Sequence, residues 1–537
     1  MAGLGILPHL DSIFNGESDS KSERGSPPSC IPGKGWARSY DAAMAHPLPG
    51  KLAAFLVFFA SGAVLVLETL ALRLVGPYVG VSLQVTSSVI GVALAAIAYG
   101  AWLGGWLADK FDPRRLVAPA LVLAGIATAV TLPLVRLTGE ALRGGAVPGI
   151  LLLTMITIFL PALVLSAVPP LVVKLQLADL RRTGEVVGRL SSIGTLGAVT
   201  ATLATGFILV AALPSSAIMV SLAAALAIAG IAIAFYLRQA PKAKTAATLA
   251  VLGVAGTVLS VVAPNPCDVE TAYHCASVEA DPANPTGRVL FLNSAEHSYV
   301  DLADPRHLQF AYTQWIGAVT DLVKPAGTRI DALHLGGGGF TMPRYVTATR
   351  PGSDNVVYEI DGRLIDLGER ELDVRPGPDL KAVAGDARML IARHPAASAD
   401  LVVGDAFGDL AVPWHLATRE MAQEIRRVLR PGGVYAQNVI DYPPARFIRA
   451  EVATVAAVFS HVALIAPPGA VAGLVGANFI IVASQEPLPL VTLSEKLSDK
   501  SSEAVVVVFG EGLTAFMDGM GALTDDFAPV DQLLILP

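Results

Sequence analysis

HLGGGGF, residues 334–340, is the stretch whose reading decides the fold. It follows a short apolar run, Ala332–Leu335, and precedes a helical stretch. Successive glycines let a backbone approach a ligand with no Cβ in the way. About twenty residues on stands VVYEID, residues 356–361. An acid at the end of a second strand is placed to accept hydrogen bonds from ribose hydroxyls. Working outward, Leu401–Val403 and Val434–Val439 also read as strands, with helical segments between them. That alternation predicts a Rossmann-like α/β domain over residues 326–537, a parallel sheet covered by helices. Ligands in such sheets bind outside the carboxyl ends of the strands. The candidate nucleoside-binding residues are therefore Gly336, Gly337, Gly338 and Glu359. AGDARML (384–390) adds Asp386 and Ala387, and LVVGDAFGDLAVPWHL (401–416) adds Asp405. An Asp at position 386 either caps a helix or accepts from an exocyclic adenine amine. No P-loop lysine accompanies the glycines.

The chain around this domain has a different character. Of its 537 residues 53% are hydrophobic and only 15% charged, and the mean hydropathy is +0.58. Soluble proteins average about 25% charged residues. The balance excludes a disordered chain and argues against an ordinary cytosolic enzyme. The net charge of −7 shows no basic face for a nucleic acid. The excess hydrophobicity lies in apolar runs near 52–72, 83–107, 116–135, 148–173, 191–212, 215–237 and 245–263. Each has the roughly 20 residues that cross about 30 Å of hydrocarbon. The expectation is a multi-span helical membrane domain of about seven spans over residues 51–264, with the lipid bilayer as partner. Pro169-Pro170 should kink or end the fourth span. Glu68 is an ionisable group inside an apolar run, a functional candidate by its cost. Residues 1–50 contain GESDSKSERGSPPSCIPGKG (16–35) and read as a disordered extension. A small β-hairpin domain is expected over 265–325, between membrane and Rossmann-like parts.

Basic residues place the ends of the spans. Lys110, Arg114 and Arg115 follow the second run, Lys174, Arg181, Arg182 and Arg189 the fourth, and Arg238, Lys242 and Lys244 the sixth. The positive-inside rule then puts the N-terminus inside, and seven spans put the soluble domain outside the cytosol. Three cysteines are too few for a disulfide scaffold. Cys267 and Cys275, eight residues apart, either pair outside the cytosol or remain buried thiols.

The order of ETAYHCASV (270–278), GRVLFLNSAEHSYVD (287–301), LQFAYTQW (308–315), HLGGGGF, VVYEID, GDAR, GDAFGD and LRPGGVYAQNV (429–439) resembles the spermidine synthase (polyamine aminopropyltransferase) family. SGAVLVLETLALRLVG (61–76), GAWLGGWLADK (100–110), SSIGTLGAVTATLATGFIL (191–209) and LTDDFAPVDQL (523–533) resemble its bacterial fused membrane members. The resemblance implies a small β-domain before a methyltransferase-type Rossmann domain, in a multi-pass bacterial inner membrane protein. It implies a transferase that binds decarboxylated S-adenosylmethionine, moves its aminopropyl group to an amine and releases methylthioadenosine, with no metal. A homodimer is among the assemblies it allows. Glu359 matches the family's ribose-binding acid, Asp386 its adenine-binding Asp, and Asp405 the Asp at the reacting centre. Tyr273, Tyr312 and Asp409 fall where the acceptor would bind.

The departures bear on the substrate. The family turn is GGGDG, with an Asp that grips the aminopropyl ammonium; here that position is Gly339. Two family glutamines are His274 and His297, candidates to assist Asp405 because histidine titrates near neutrality. The second catalytic-loop Asp is Gly408, with Asp409 one place late. Three readings follow: an aminopropyl-type transferase on intact or decarboxylated S-adenosylmethionine, an S-adenosylmethionine-dependent methyltransferase, and a transporter or sensor with a ligand-binding domain of this type.

Overall fold

The computed structural model describes residues 48–143, 147–177, 180–239, 243–408 and 411–534. The N-terminal extension up to residue 47 and Asp409 lie outside the described residues. The first half is a helical bundle: α1 Gly50–Val79, α2 Leu83–Lys110, α3 Arg114–Ala141, α4 Val147–Gln176, α5 Thr183–Ala212 and α6 Ser215–Tyr236. These six are long and apolar enough to cross a membrane. The seventh expected span is helix α7, Ala243–Val262. Its described apolar run, Val251–Ser260, is short for a crossing. The clear candidates therefore number six among the described residues, against the seven expected.

Small residues let these helices touch. A Cβ on Gly100 would lie 2.2 Å from the carbonyl oxygen of Leu163, and one on Gly104 2.5 Å from that of Ala167, so α2 meets α4 backbone to backbone. A Cβ on Gly197 of α5 would lie 2.3 Å from the Phe58 oxygen of α1. Close approach of this kind packs helices where no hydrophobic driving force separates protein from lipid. The regular course of α4 breaks at Ala167, just ahead of Pro169-Pro170, as the prolines dictate.

The second half begins with a four-stranded antiparallel sheet, β1 Val269–Glu270, β2 Cys275–Ala280, β3 Gly287–Leu292 and β4 Ala295–Asp301, in chain order. Strand β2 starts two residues later than the sequence suggests. The hydroxyl of Thr271 accepts from the amides of Tyr273 (3.1 Å) and His274 (2.9 Å) and folds residues 271–274 into a turn. Next come α8 Ala311–Val323, β5 Asp331–Leu335, α9 Thr341–Thr349, β6 Asp354–Glu359, α10 Gly362–Glu371, β7 Leu380–Ala384, α11 Ala387–Ile391 and β8 Ala399–Gly404. The chain continues through α12 Arg419–Val428, β9 Leu429–Asp441, α13 Arg446–Ala456, β10 His461–Ala466, β11 Ala477–Ser484 and β12 Val506–Phe509.

The large sheet has the order β12-β10-β11-β9-β8-β5-β6-β7. Strands β5 to β9 are mutually parallel, while β11 is antiparallel to β9 and to β10. This is a methyltransferase-type Rossmann sheet. Its order reverses between β5 and β8, the switch point at which such sheets bind ligands. Strand β8 is buried along its whole length, which explains its unbroken apolar reading. Leu401 and Val403 face one layer with Trp315, Ile316 and Val319 of α8; Val402 faces the other with Phe447 and Phe479. Helix α8 thus belongs to the Rossmann layers, although the sequence groups residues 311–323 with the hairpins. Its Trp315, Ile316 and Val319 need the large sheet's apolar face. The small sheet has no core of its own: Ala276, Leu290 and Leu292 share one with Phe340, Val357 and Leu364.

One buried acid stands apart from this core. Glu451 of α13 accepts from Gln437 Nε2 at 2.7 Å, and burial raises its pKa to about 7. The folded state therefore holds the proton more tightly than the unfolded chain. Its burial penalty is absent below the unfolded value near 4.5, grows as pH rises, and is complete above about 7. We expect Glu451→Gln to remove that pH dependence. The melting temperature of the variant should match wild type near pH 5 and exceed it at pH 8; equal melting curves at both values would contradict this.

Candidate functional site

Two clefts meet at the switch point. The first, about 740 Å³, is lined by Gly336–Gly338, Glu359, Ile360, Asp386, Ala387, Asp405 and the two histidines 274 and 297, among others. The second, about 1430 Å³, is lined by Tyr312, Asn438, Asn478 and Glu296 with others, and shares His297, Asp405 and Phe407 with the first. Asp405 therefore stands at the junction.

The glycine turn is built around its neighbours. Gly336 has φ +98°, and a Cβ there would lie 2.3 Å from the carbonyl oxygen of Asp405. No other residue type meets both demands. Glu359, at the end of β6, accepts from the amides of Gly337 (2.8 Å) and Gly338 (3.1 Å) with one oxygen and from Asp361 N (2.9 Å) with the other. Burial raises its pKa, and these three amides oppose the shift. Oε2 is taken up by the two glycine amides, and Oε1 keeps lone-pair capacity for a ligand hydroxyl.

Asp386 performs the first of the two tasks the sequence left open, the helix cap. One oxygen caps α11 by accepting from Arg388 N at 2.8 Å; the other faces His415 Nε2 at 3.3 Å on the wall of the first cleft. Behind it, Asp525 accepts from Arg388 (2.6 Å) and from the Thr418 hydroxyl (2.7 Å). The LTDDF motif thus braces the segment that carries Asp386. Sequence reasoning quoted that motif without giving it a role.

Asp405 follows β8. It accepts from Asn438 Nδ2 at 2.9 Å and from the Tyr312 phenol, and Asn438 in turn accepts from Asn478 Nδ2 at 3.0 Å. Burial raises its pKa to about 6, against the two hydrogen bonds that favour the ionised form. Burial and the Asp405 charge hold the Tyr312 phenol well above its ordinary value, so it remains a donor. Asn438 and Asn478 carried no chemical motif; their only signal was amides within apolar strands.

The histidines differ from expectation. Both are driven down to about 4, His274 by burial and Arg73, His297 by burial and His274. They are neutral at pH 7 and do not titrate near neutrality, so neither fits the acid–base role expected of it. Nδ1 of His274 and Nε2 of His297 are buried without hydrogen-bond partners. Buried polar atoms are satisfied in nearly all proteins, so these two stand out on the cleft wall. Tyr273 is 51% exposed and lines neither cleft, whereas Tyr312 lines the second.

Ser298 was not singled out in the sequence. Its hydroxyl accepts from Gly339 N at 3.0 Å, and a Cβ on Gly339 would lie 2.6 Å from the Ser298 Cβ. The Gly339 departure is thus coupled to Ser298: β4 leans on the turn and leaves no room for a carboxylate.

No family model matches the chain. Over 145 residues it is 31% identical to the polyamine aminopropyltransferase of Vibrio vulnificus (strain CMCP6). Part of the chain thus resembles a polyamine aminopropyltransferase. The match spans 27% of this chain and about half, 47%, of that curated relative. Among solved structures, the chain is similar to a probable spermidine synthase from Corynebacterium glutamicum ATCC 13032, with 28% identity, 49% of this chain and 96% of that one covered, and a TM-score of 0.45. It is also similar to the spermidine synthase of Thermotoga maritima (16%, covering 49% and 81%, TM-score 0.33) and to human methyltransferase-like protein 13 in complex with SAH (18%, covering 42% and 96%, TM-score 0.29).

The coupling of Gly339 to Ser298 predicts a paired result. Gly339→Asp alone should destabilise the soluble half by about 1–3 kcal/mol through overpacking. Gly339→Asp with Ser298→Gly should recover most of that loss in thermal denaturation; equal losses in the two variants would contradict the coupling.

Proposed function

We propose that this protein is a membrane-anchored transferase of the aminopropyltransferase type. Its donor substrate is decarboxylated or intact S-adenosylmethionine and its acceptor is an amine. The observation that carries the reading is Asp405, a buried carboxylate hydrogen-bonded by Asn438 and Tyr312 where a nucleoside-sized cleft opens into a second one. Glu359 would take a ribose hydroxyl through Oε1 and Asp386 the adenine amine. The amine enters through the second cleft. Its nitrogen bonds to the carbon next to sulfur as the C–S bond breaks. The electron pair goes to sulfur, leaving neutral methylthioadenosine, and the amine proton goes to Asp405. A sulfonium leaves readily, so most of the rate would come from positioning. Neutral histidines suit this reading, because a protonated imidazole would repel a sulfonium in the same cleft.

The six long apolar helices support membrane anchoring. The bonded pair Cys267–Cys275 supports a soluble half outside the cytosol of a bacterial inner membrane; the basic loops agree when Ala243–Val262 is counted as a seventh span, whereas six spans alone would put that half inside. A second reading, methyl transfer, is favoured by Gly339. With no carboxylate at that position to grip an aminopropyl ammonium, intact S-adenosylmethionine is an admissible donor.

Mass spectrometry of the nucleoside product decides between them. Methylthioadenosine is expected when the purified protein is incubated with an amine and either donor; S-adenosylhomocysteine would select the methyltransferase, and no nucleoside product with either donor would sink both. Asp405 becomes the ionised base as pH rises through about 6, so kcat/KM should rise through that region. Asp405→Asn should abolish this limb and lower turnover by about 10²–10⁴-fold.

A further inference from the structure

The residues that join the bundle to the soluble half lead into the first cleft. Arg73, near the end of α1, is largely buried at 17% side-chain exposure and reaches out of the bundle. Its Nη1 donates to the carbonyl of Ala272 at 2.7 Å, and Nη2 donates to the carbonyl of Thr271. Both nitrogens Nε (3.4 Å) and Nη2 (3.3 Å) also meet Glu270 Oε1. Glu270 is held from a second helix too: its Oε2 accepts from Ser215 N at 2.9 Å, and the Ser215 hydroxyl bonds Oε1. Ser215 is the first residue of α6. One short loop is therefore gripped by the end of one helix and the start of another.

That loop carries a wall of the cleft. The Cys267–Cys275 disulfide closes it at its base. Thr271 and His274 bond each other across the turn, Thr271 N to His274 O at 2.9 Å and His274 N to the Thr271 hydroxyl at 2.9 Å. The two carbonyls that Arg73 holds thus belong to the turn that fixes the His274 backbone. His274 lines the first cleft with its Nδ1 buried and unsatisfied.

We propose that Arg73 is a positioning residue for the nucleoside cleft: through the 270–274 turn the helical bundle sets the placement of His274, and with it the affinity for the nucleoside. This rests on reading the first cleft as a nucleoside site. It makes the bundle a working part of the site as well as an anchor, since any shift of α1 against α6 moves the turn.

A second junction provides the control. Arg136 of α3 donates to the carbonyls of Ser260 (2.9 Å) and Ala263 (3.0 Å) and to Asn265 (3.2 Å). It ties down the connection to the soluble half and makes no contact with the 271–274 turn in these bonds.

The test is calorimetric binding of methylthioadenosine to the full chain in detergent. Arg73→Met should weaken binding about tenfold, Arg73→Lys less, and Arg136→Gln not at all. On a His274→Ala background, Arg73→Met should cost nothing further, because the two act through one contact. Wild-type affinity in folded Arg73→Met would overturn the inference, as would an equal loss in Arg136→Gln or full additivity with His274→Ala. If Arg73→Met does not fold, Arg73→Lys carries the test, and wild-type affinity there overturns it. Failure of wild type itself to bind methylthioadenosine would overturn the nucleoside reading along with the inference, and so separates the two.

Discussion

Two strand ends approach each other with no space for a side chain between them, and the site is organised by that contact. Gly336 leaves β5 against the backbone of Asp405 leaving β8. The glycine turn must then bend toward β6, where its amides meet Glu359. Asp405 is directed to the other side, toward Tyr312 and Asn438. One cleft forms on each side of the contact. A chain that widened this contact would separate Asp405 from the glycine turn and Glu359.

The polarity of the two clefts follows from burial. A carboxylate withdrawn from water needs donors, and Asp405 has an amide and a phenol. Imidazoles withdrawn from water lose their protons instead, and the two histidines do so. Neither imidazole then sets a positive charge against a cation that enters the cleft. The Gly339 departure fits the same packing: Ser298 of β4 covers the turn and takes the amide that a longer side chain would have hidden.

Much of the Rossmann-like half was legible because its signals are local. Glycines after an apolar strand, an acid ending the next strand and an aspartate after the buried β8 each carry meaning within a few residues. Asp405 and Glu359 stand where those signals put them. What was not legible depends on distant partners. Asn438 and Asn478 are ordinary amides until the β9–β11 pairing brings them behind Asp405. Helix α8 read as part of the hairpin segment because its apolar face gives no hint of which sheet it covers. The histidines were misread for a related reason: the shift in their titration comes from burial, which no local pattern encodes. The seventh helix shows the limit of hydropathy, since Ala243–Val262 has the length of a span while its described apolar run is shorter.

The brace behind Asp386 also bears on the order in which the protein matures. Asp525 reaches back 137 positions to Arg388 and 107 positions to Thr418. A ribosome has made every helix of the bundle and every strand of the Rossmann sheet before this carboxylate exists. Contacts of such separation form late in folding. The Asp386 wall of the first cleft is therefore among the final parts of the molecule to become firm, and that cleft is completed only after the apolar half has emerged.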